Sequence, residues 1–150
     1  MTLIKNNEIV QDRWTKLDEE QALQADYNII DLAYWNANKD SLIASKGHLG
    51  LWVQGDESAE QFADDLQYFE LIAIHFPTFV DGRGYSLAKI LREKHHYTKE
   101  IRAVGDVLPD QALYLTRVGF DTLEFSTKEA GSLALEKLNE FSVFYQAATN

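Results

Sequence analysis

Cysteine is absent from this chain of 150 residues. That omission excludes disulfides, thiolate nucleophiles, persulfide carriers and cysteine-ligated iron–sulfur clusters. A redox role would therefore need electrons from a bound cofactor or a partner. Long apolar runs are missing too: stretches such as Leu71–Ile74 fall far short of the roughly 20 residues that span a bilayer. The opening MTLIKNNEIV has neither the apolar core nor the small-residue cleavage site of a secretory signal. These absences predict a soluble, cytoplasmic protein without a membrane role. Positive charge is also in deficit, 14 Lys and Arg against 24 Asp and Glu, a net of −10. Nucleic-acid binding needs a basic face to displace counterions from phosphates, so the balance argues against it.

The charge that is present is unevenly spread. Residues 1–80 carry 5 basic and 14 acidic side chains, and residues 103–150 carry 3 and 7. Residues 81–102 reverse the sign, with 6 basic (Arg83, Lys89, Arg92, Lys94, Lys99, Arg102) against 3 acidic (Asp81, Glu93, Glu100). A cationic island in an acidic chain is either an anion site or the solvated face of one helix.

Apolar content of 45% and charged content of 25% are ordinary for one globular domain of this length. Leu3–Lys5 and Glu8–Val10 around Asn6-Asn7 predict a hairpin. Strand and helix patterns then alternate. Strands are expected at 27–32, 49–53, 70–76, 100–104 and 122–125. Helices are expected at 33–46, 58–66, 86–96, 109–118 and from 126 onward. Ser58-Ala-Glu-Gln61 and Ser126-Thr-Lys-Glu129 read as capping boxes, Gly47 and Gly119 as helix stops. Ala134, Leu138, Phe141 and Tyr145 share one stripe of the last helix. Such alternation implies right-handed crossovers and a mainly parallel sheet in a single α/β domain spanning 1–150. About five strand–helix units favour an open sheet with helices on both faces; the short repeat makes a partial β/α barrel the alternative. Either arrangement puts ligand sites at the carboxyl ends of the strands.

That rule selects two loops. The first leaves the strand at His75-Phe-Pro-Thr-Phe-Val and enters a helix through Asp81, Gly82, Arg83, Gly84, Tyr85 and Ser86. Its glycines allow positive φ and close approach of a ligand to the backbone. The helix N-terminus and the Arg83 fork suit an oxyanion. The plainer alternative is a glycine-rich turn in which Asp81 or Ser86 caps the helix and Arg83 pairs with Asp81. The second loop, Gly105–Gln111, offers Asp106 and Asp110 as candidate acid/base groups; both residues also suit a helix start. Arg102, in or beside a strand, is a candidate support for the anion site. His75 reads as a satisfied core histidine, and Trp14, Trp35 and Trp52 as core. Adjacent His95-His96 lack metal-ligand spacing, and no other metal constellation appears.

The segments Phe76-Pro-Thr-Phe-Val-Asp-Gly-Arg-Gly-Tyr-Ser86, Ile101-Arg-Ala-Val-Gly-Asp-Val-Leu108 and Arg117-Val-Gly-Phe-Asp121, with Leu3-Ile-Lys5, Asp12-Arg-Trp14 and the ending around Phe141 and Tyr145, resemble the bacterial domain-of-unknown-function family 934. Members are described as oxidoreductases or accessory proteins of assimilatory sulfite reduction, because their genes lie beside sulfite reductase genes. The resemblance implies sulfite reductase as a partner and a small oxyanion as a ligand. It implies no particular cofactor and transfers no active site. Relatives often carry cysteine where this chain has Val118, so a thiol there is not essential. Three functions follow as expectations: an anion-binding accessory protein, an oxidoreductase using a diffusible flavin or nicotinamide, or a structural partner of the reductase.

Overall fold

The computed structural model describes residues 1–18, 22–78 and 82–149, with side chains as far as residue 140. Eight strands form one sheet: β1 (Thr2–Lys5), β2 (Glu8–Val10), β3 (Thr15–Lys16), β4 (Asn28–Asp31), β5 (Leu49–Gln54), β6 (Leu71–Phe76), β7 (Glu100–Gly105) and β8 (Thr122–Phe125). Four α-helices accompany them: α1 (Leu32–Ala44), α2 (Arg83–Glu93), α3 (Ala112–Val118) and α4 (Lys128–Thr149). The hairpin turn has Asn6 and Asn7 both at positive φ, 53° and 61°. That is the two-residue turn whose twist matches the strands it joins. Asp31 caps α1 by accepting from the Tyr34 N–H at 2.7 Å, Thr127 caps α4 through Ala130 at 3.0 Å, and Gly119 ends α3 at φ 121°. The expected helix at 58–66 is instead two 3-10 segments, Ala59–Gln61 and Ala63–Tyr68.

Strand order is β2-β1-β8-β7-β6-β5-β4-β3. From β3 to β8 every neighbour is parallel and consecutive in sequence; β1 joins β8 and β2 antiparallel. An open doubly wound sheet reverses direction at a switch point. This one never does, so its right-handed crossovers all fall on one side. The expected helices on both faces are therefore replaced by helices on one face, and the partial-barrel alternative fits. One core cluster joins Ile30, Leu51, Val53, Ile72, Ile74, Ile101, Ala103, Leu123 and Phe125 from the sheet to Trp35, Phe62, Leu87, Leu91, Leu115 and Ala134 from the helical layer. Of the expected α4 stripe, Ala134 and Leu138 are buried; the side chains of Phe141 and Tyr145 lie outside the described set.

The chain itself forces the sheet to curl. β2 ends at Val10 on one edge and β3 begins at Thr15 on the other. Five residue steps reach at most about 18 Å, whereas eight strands laid flat would separate the edges by roughly 34 Å. Residues 11–14 thus act as a strap across the open side of a half-barrel. The face beneath that strap is the one the helices do not cover.

Candidate functional site

Side chains alternate across a strand, so residues next to each helix-facing core position point to the concave side. The register aligns two rows there. Trp52, Ala73, Arg102, Thr122 and Lys5 form one, and Gln54, His75 and Val104 the next toward the carboxyl ends. Glu124 follows Thr122 on the same face of β8. With Asp12 and Trp14 from the strap and Lys16 from β3, several of these line a cavity of about 360 Å³ that also reaches Gly105 and Ser126.

Arg102 anchors it. Its side chain is 4% exposed. Nη1 donates to Asp12 Oδ2 at 3.0 Å, and Nη2 lies 3.5 Å from Glu100 Oε2. Glu100 also accepts from Lys5 Nζ at 3.0 Å and from the Thr122 hydroxyl at 3.1 Å. Lys5, Glu100, Arg102 and Asp12 therefore balance one another. The Arg102 Nε–H is enclosed with no hydrogen-bond partner among the described residues. Leaving such a donor unsatisfied costs about 1–3 kcal/mol.

Outside that balanced set the lining holds Lys16, the Glu124 carboxyl and Met1, whose ammonium acts on Glu124. Lys16 forms no ion pair among the described residues; its Nζ sits 4.6 Å from the centre of the Trp52 ring. Burial pushes the Glu124 carboxyl above the ordinary glutamate range, opposed by Arg102 and the Met1 ammonium and reinforced by Asp12. His75 stacks on Trp52 with centroids 5.3 Å apart, and its Nδ1 is 2.8 Å from Gln54 Oε1. A carbonyl oxygen accepts, so Nδ1 carries the proton and Nε2 keeps its lone pair. Desolvation, with Lys16 adding to it, holds the ring below the usual histidine range. Gly105, at φ 93°, lets the histidine edge lie against the backbone: an added Cβ would come 2.9 Å from His75 Nε2.

The strap is fixed at both ends. Asp12 holds Arg102 and caps the Trp14 N–H at 3.0 Å. Trp14 packs edge-on against Tyr27 at 5.2 Å, Arg13 lies over the same ring at 4.4 Å, and Tyr27 stacks on His48 at 4.3 Å. Two half-exposed indoles thereby face a cavity with a neutral imidazole, a poised carboxyl and a lysine.

The loop expected to bind an anion lies elsewhere. Asp81 falls outside the described residues. Gly82 precedes α2 at φ −80° and no side chain among the described residues caps that helix, so neither the expected positive φ nor a Ser86 cap is used. Gly84 serves packing: a Cβ there would meet the Phe76 ring at 2.4 Å. Tyr85 packs between Phe76 and Tyr114. Arg83 and Ser86 line a separate cleft of about 230 Å³ with Asp56, Glu57, Glu60, Lys94 and His95. Arg83 is 3.7 Å from Asp56, and the described lining of that cleft carries three carboxylates and two cations besides His95. Asp110 pairs with Lys137 at 3.0 Å; Asp106 is exposed, its N–H donating to the Phe76 carbonyl at 2.8 Å. Arg102 thus lines a different cavity from Arg83, and the cationic island does not form one patch. Arg92 holds the carbonyls of Tyr97, Lys99 and Gly119 and the Asp121 carboxylate, while Lys94 pairs with Glu60.

Sequence reasoning missed Asp12, Trp14, Lys16, Trp52, His75 and Glu124. Trp35 is the buried core indole, 0% exposed, but Trp14 and Trp52 are half-buried, as is His75. A usable signal existed: β5 to β8 each place a polar or aromatic residue between two aliphatic or aromatic core positions.

The family model described as "Bacterial protein of unknown function (DUF934)" matches residues 50–150, two thirds of the chain. No curated protein matches it. The matched span runs from β5 through α4 and includes Trp52, His75, Arg102 and Glu124; the strap precedes it.

Proposed function

The chain belongs to this bacterial family, and from that premise we propose that it is a small-anion-binding accessory protein of assimilatory sulfite reduction, with the concave cavity as its binding site. The observation that carries the reading is the cavity's charge balance. Its ion-pair network sums to zero, Lys16 has no ion-pair partner among the described residues, and burial disfavours the charged form of the unpaired carboxyl, Glu124. An incoming anion meets the exposed Lys16 ammonium in a cavity also lined by the nearly buried Arg102 guanidinium. Charge-assisted hydrogen bonds of that kind are about twice as strong as neutral ones. The link to sulfite reduction rests on the family resemblance, with sulfite reductase as the partner it implies.

The test is growth of a deletion strain on sulfate, sulfite or sulfide as the sulfur source, complemented with wild type or Lys16→Gln. Rescue by sulfide alone, restored by wild type and weakened by the variant, is the expected result. Full growth of the deletion strain on sulfate would overturn the metabolic assignment.

The half-exposed indoles and the imidazole favour a second reading, an oxidoreductase that takes up a diffusible flavin or nicotinamide, since flat rings stack on such walls. Thermal shift with flavin mononucleotide and the nicotinamide dinucleotides decides it. No shift with any of them removes this reading.

A further inference from the structure

The cavity is large for an inorganic oxyanion. Sulfite or sulfate fills on the order of two or three water volumes of about 30 Å³ each, whereas the space is about 360 Å³, within the range of organic-ligand pockets. Its walls are also of two kinds. It holds the cations Lys16 and Arg102 and, among them, the indoles of Trp14 and Trp52, with Lys16 lying over the Trp52 ring and His75 stacked on it. An ion-only site has no use for aromatic surface left half-exposed.

We propose that the cavity binds a flat organic anion, a conjugated ring bearing a carboxylate or sulfonate, with the ring against Trp52 and Trp14 and the anionic group at Lys16 and Arg102. This rests on the small-anion reading and narrows it to a ligand class. Lys16 at present lies over the Trp52 ring; a ligand whose anionic group pairs with the ammonium places its own ring beside that indole. Neutral His75 presents the Nε2 lone pair to a ligand hydroxyl or N–H. Arg102 is held by Asp12 and Glu100, so its guanidinium plane is fixed before any ligand arrives, which lowers the ordering cost of binding.

The probes are benzenesulfonate and benzoate, the neutral benzamide, and inorganic sulfite and sulfate. Tryptophan fluorescence and thermal shift report binding, and Trp35, enclosed in the core, supplies a constant background. Benzenesulfonate or benzoate is expected to bind roughly tenfold or more tighter than sulfate, the scale of one aromatic stack, and benzamide to bind more weakly than either. Trp52→Leu should erase the preference for the ring, Trp52→Phe should keep most of it, and Lys16→Gln should weaken all anions alike. Equal binding of sulfate and benzenesulfonate refutes the organic-anion assignment and leaves the small-anion reading standing. Benzamide binding as tightly as benzoate refutes both, as does a well-folded protein that binds none of the probes at millimolar concentration.

Discussion

Gly105→Ala tests the geometry around His75 directly. Gly105 closes β7 at φ 93°, a backbone region where an L-residue costs roughly 1–2 kcal/mol. A Cβ built there falls 2.4 Å from the Phe76 carbonyl oxygen and 2.8 Å from His75 Cδ2. The carbonyl cannot retreat easily, because it accepts the Asp106 N–H at 2.8 Å. The His75 contact is relieved only by moving an imidazole held by Gln54 and Trp52, and the two clashes together add about 1–3 kcal/mol of overpacking. The sum is about 2–5 kcal/mol, and for a domain of this size that lowers Tm by roughly 5–15 °C. Gly82→Ala is the matched control. Gly82 has φ −80°, and among the described residues its added Cβ would meet only Tyr85 Cδ2, at 4.0 Å. It should be neutral or stabilise by about 0.4–1 kcal/mol. Circular dichroism melts measure both, and the Gly105 variant should also shift tryptophan emission as His75 leaves Trp52. Coincident melts for the two variants would refute the account of the β7 corner.

The remaining predictions concern charge. Glu124 holds its proton more tightly folded than unfolded, so its ionisation takes stability away as pH rises from about 4.3, the ordinary glutamate value, through the raised one. Glu124→Gln should therefore raise Tm at pH 7 and flatten its fall between acid and neutral pH; an unchanged profile would contradict the burial of that carboxyl. His75 has the opposite sense: its folded pKa is lowered, so stability is lost as pH falls from about 6.5 through the lowered value. His75→Gln should remove that acid limb in urea titrations, and an identical slope in wild type and variant would count against it. Arg102→Met leaves two carboxylates, yet Glu100 keeps Lys5 and Thr122 and Asp12 is 35% exposed. Its cost should sit near about 1–3 kcal/mol, below the roughly 3–5 kcal/mol of a fully stranded buried charge. A double-mutant cycle with Asp12→Asn should give about 0.5–3 kcal/mol of coupling; none would mean the strap is not latched by this pair.

Much of the fold was legible because local signals agreed with one another. The Asn6-Asn7 turn, the β6 run and the Gly119 stop each state a backbone requirement that no distant contact overrides. Boundaries shifted where caps differed, as when Thr127 rather than Ser126 opened α4. The 3-10 segments after Ser58 escaped notice because an apolar helical face spaced at i, i+3 and i+4 fits either helix type over one or two turns. Sidedness of the sheet was not legible. Whether crossovers alternate sides depends on strand order, and no single strand records which neighbour it will pair with.

The same property hid the site. A glycine-rich loop at a helix start announces itself in sequence, so Arg83 and its neighbours drew the functional reading, yet Gly84 is there to admit the Phe76 ring. The cavity residues carry no motif. Trp52, His75, Arg102 and Glu124 are single residues in four strands, and they become neighbours because those strands are consecutive and parallel. Asp12 arrives from the strap and Lys16 from β3, into which the strap leads; the strap's course is dictated by two pairings at opposite sheet edges. In a half-barrel the helix-free face must be filled, closed or used. Here the strap closes part of it, and the network of Lys5, Glu100, Arg102 and Asp12 fills part with balanced charge. What is left between Trp14, Trp52, His75 and Glu124 is an unfilled cavity with Lys16 unpaired among the described residues, and unfilled space with mixed aromatic and charged walls is where the proposed ligand would gain by binding.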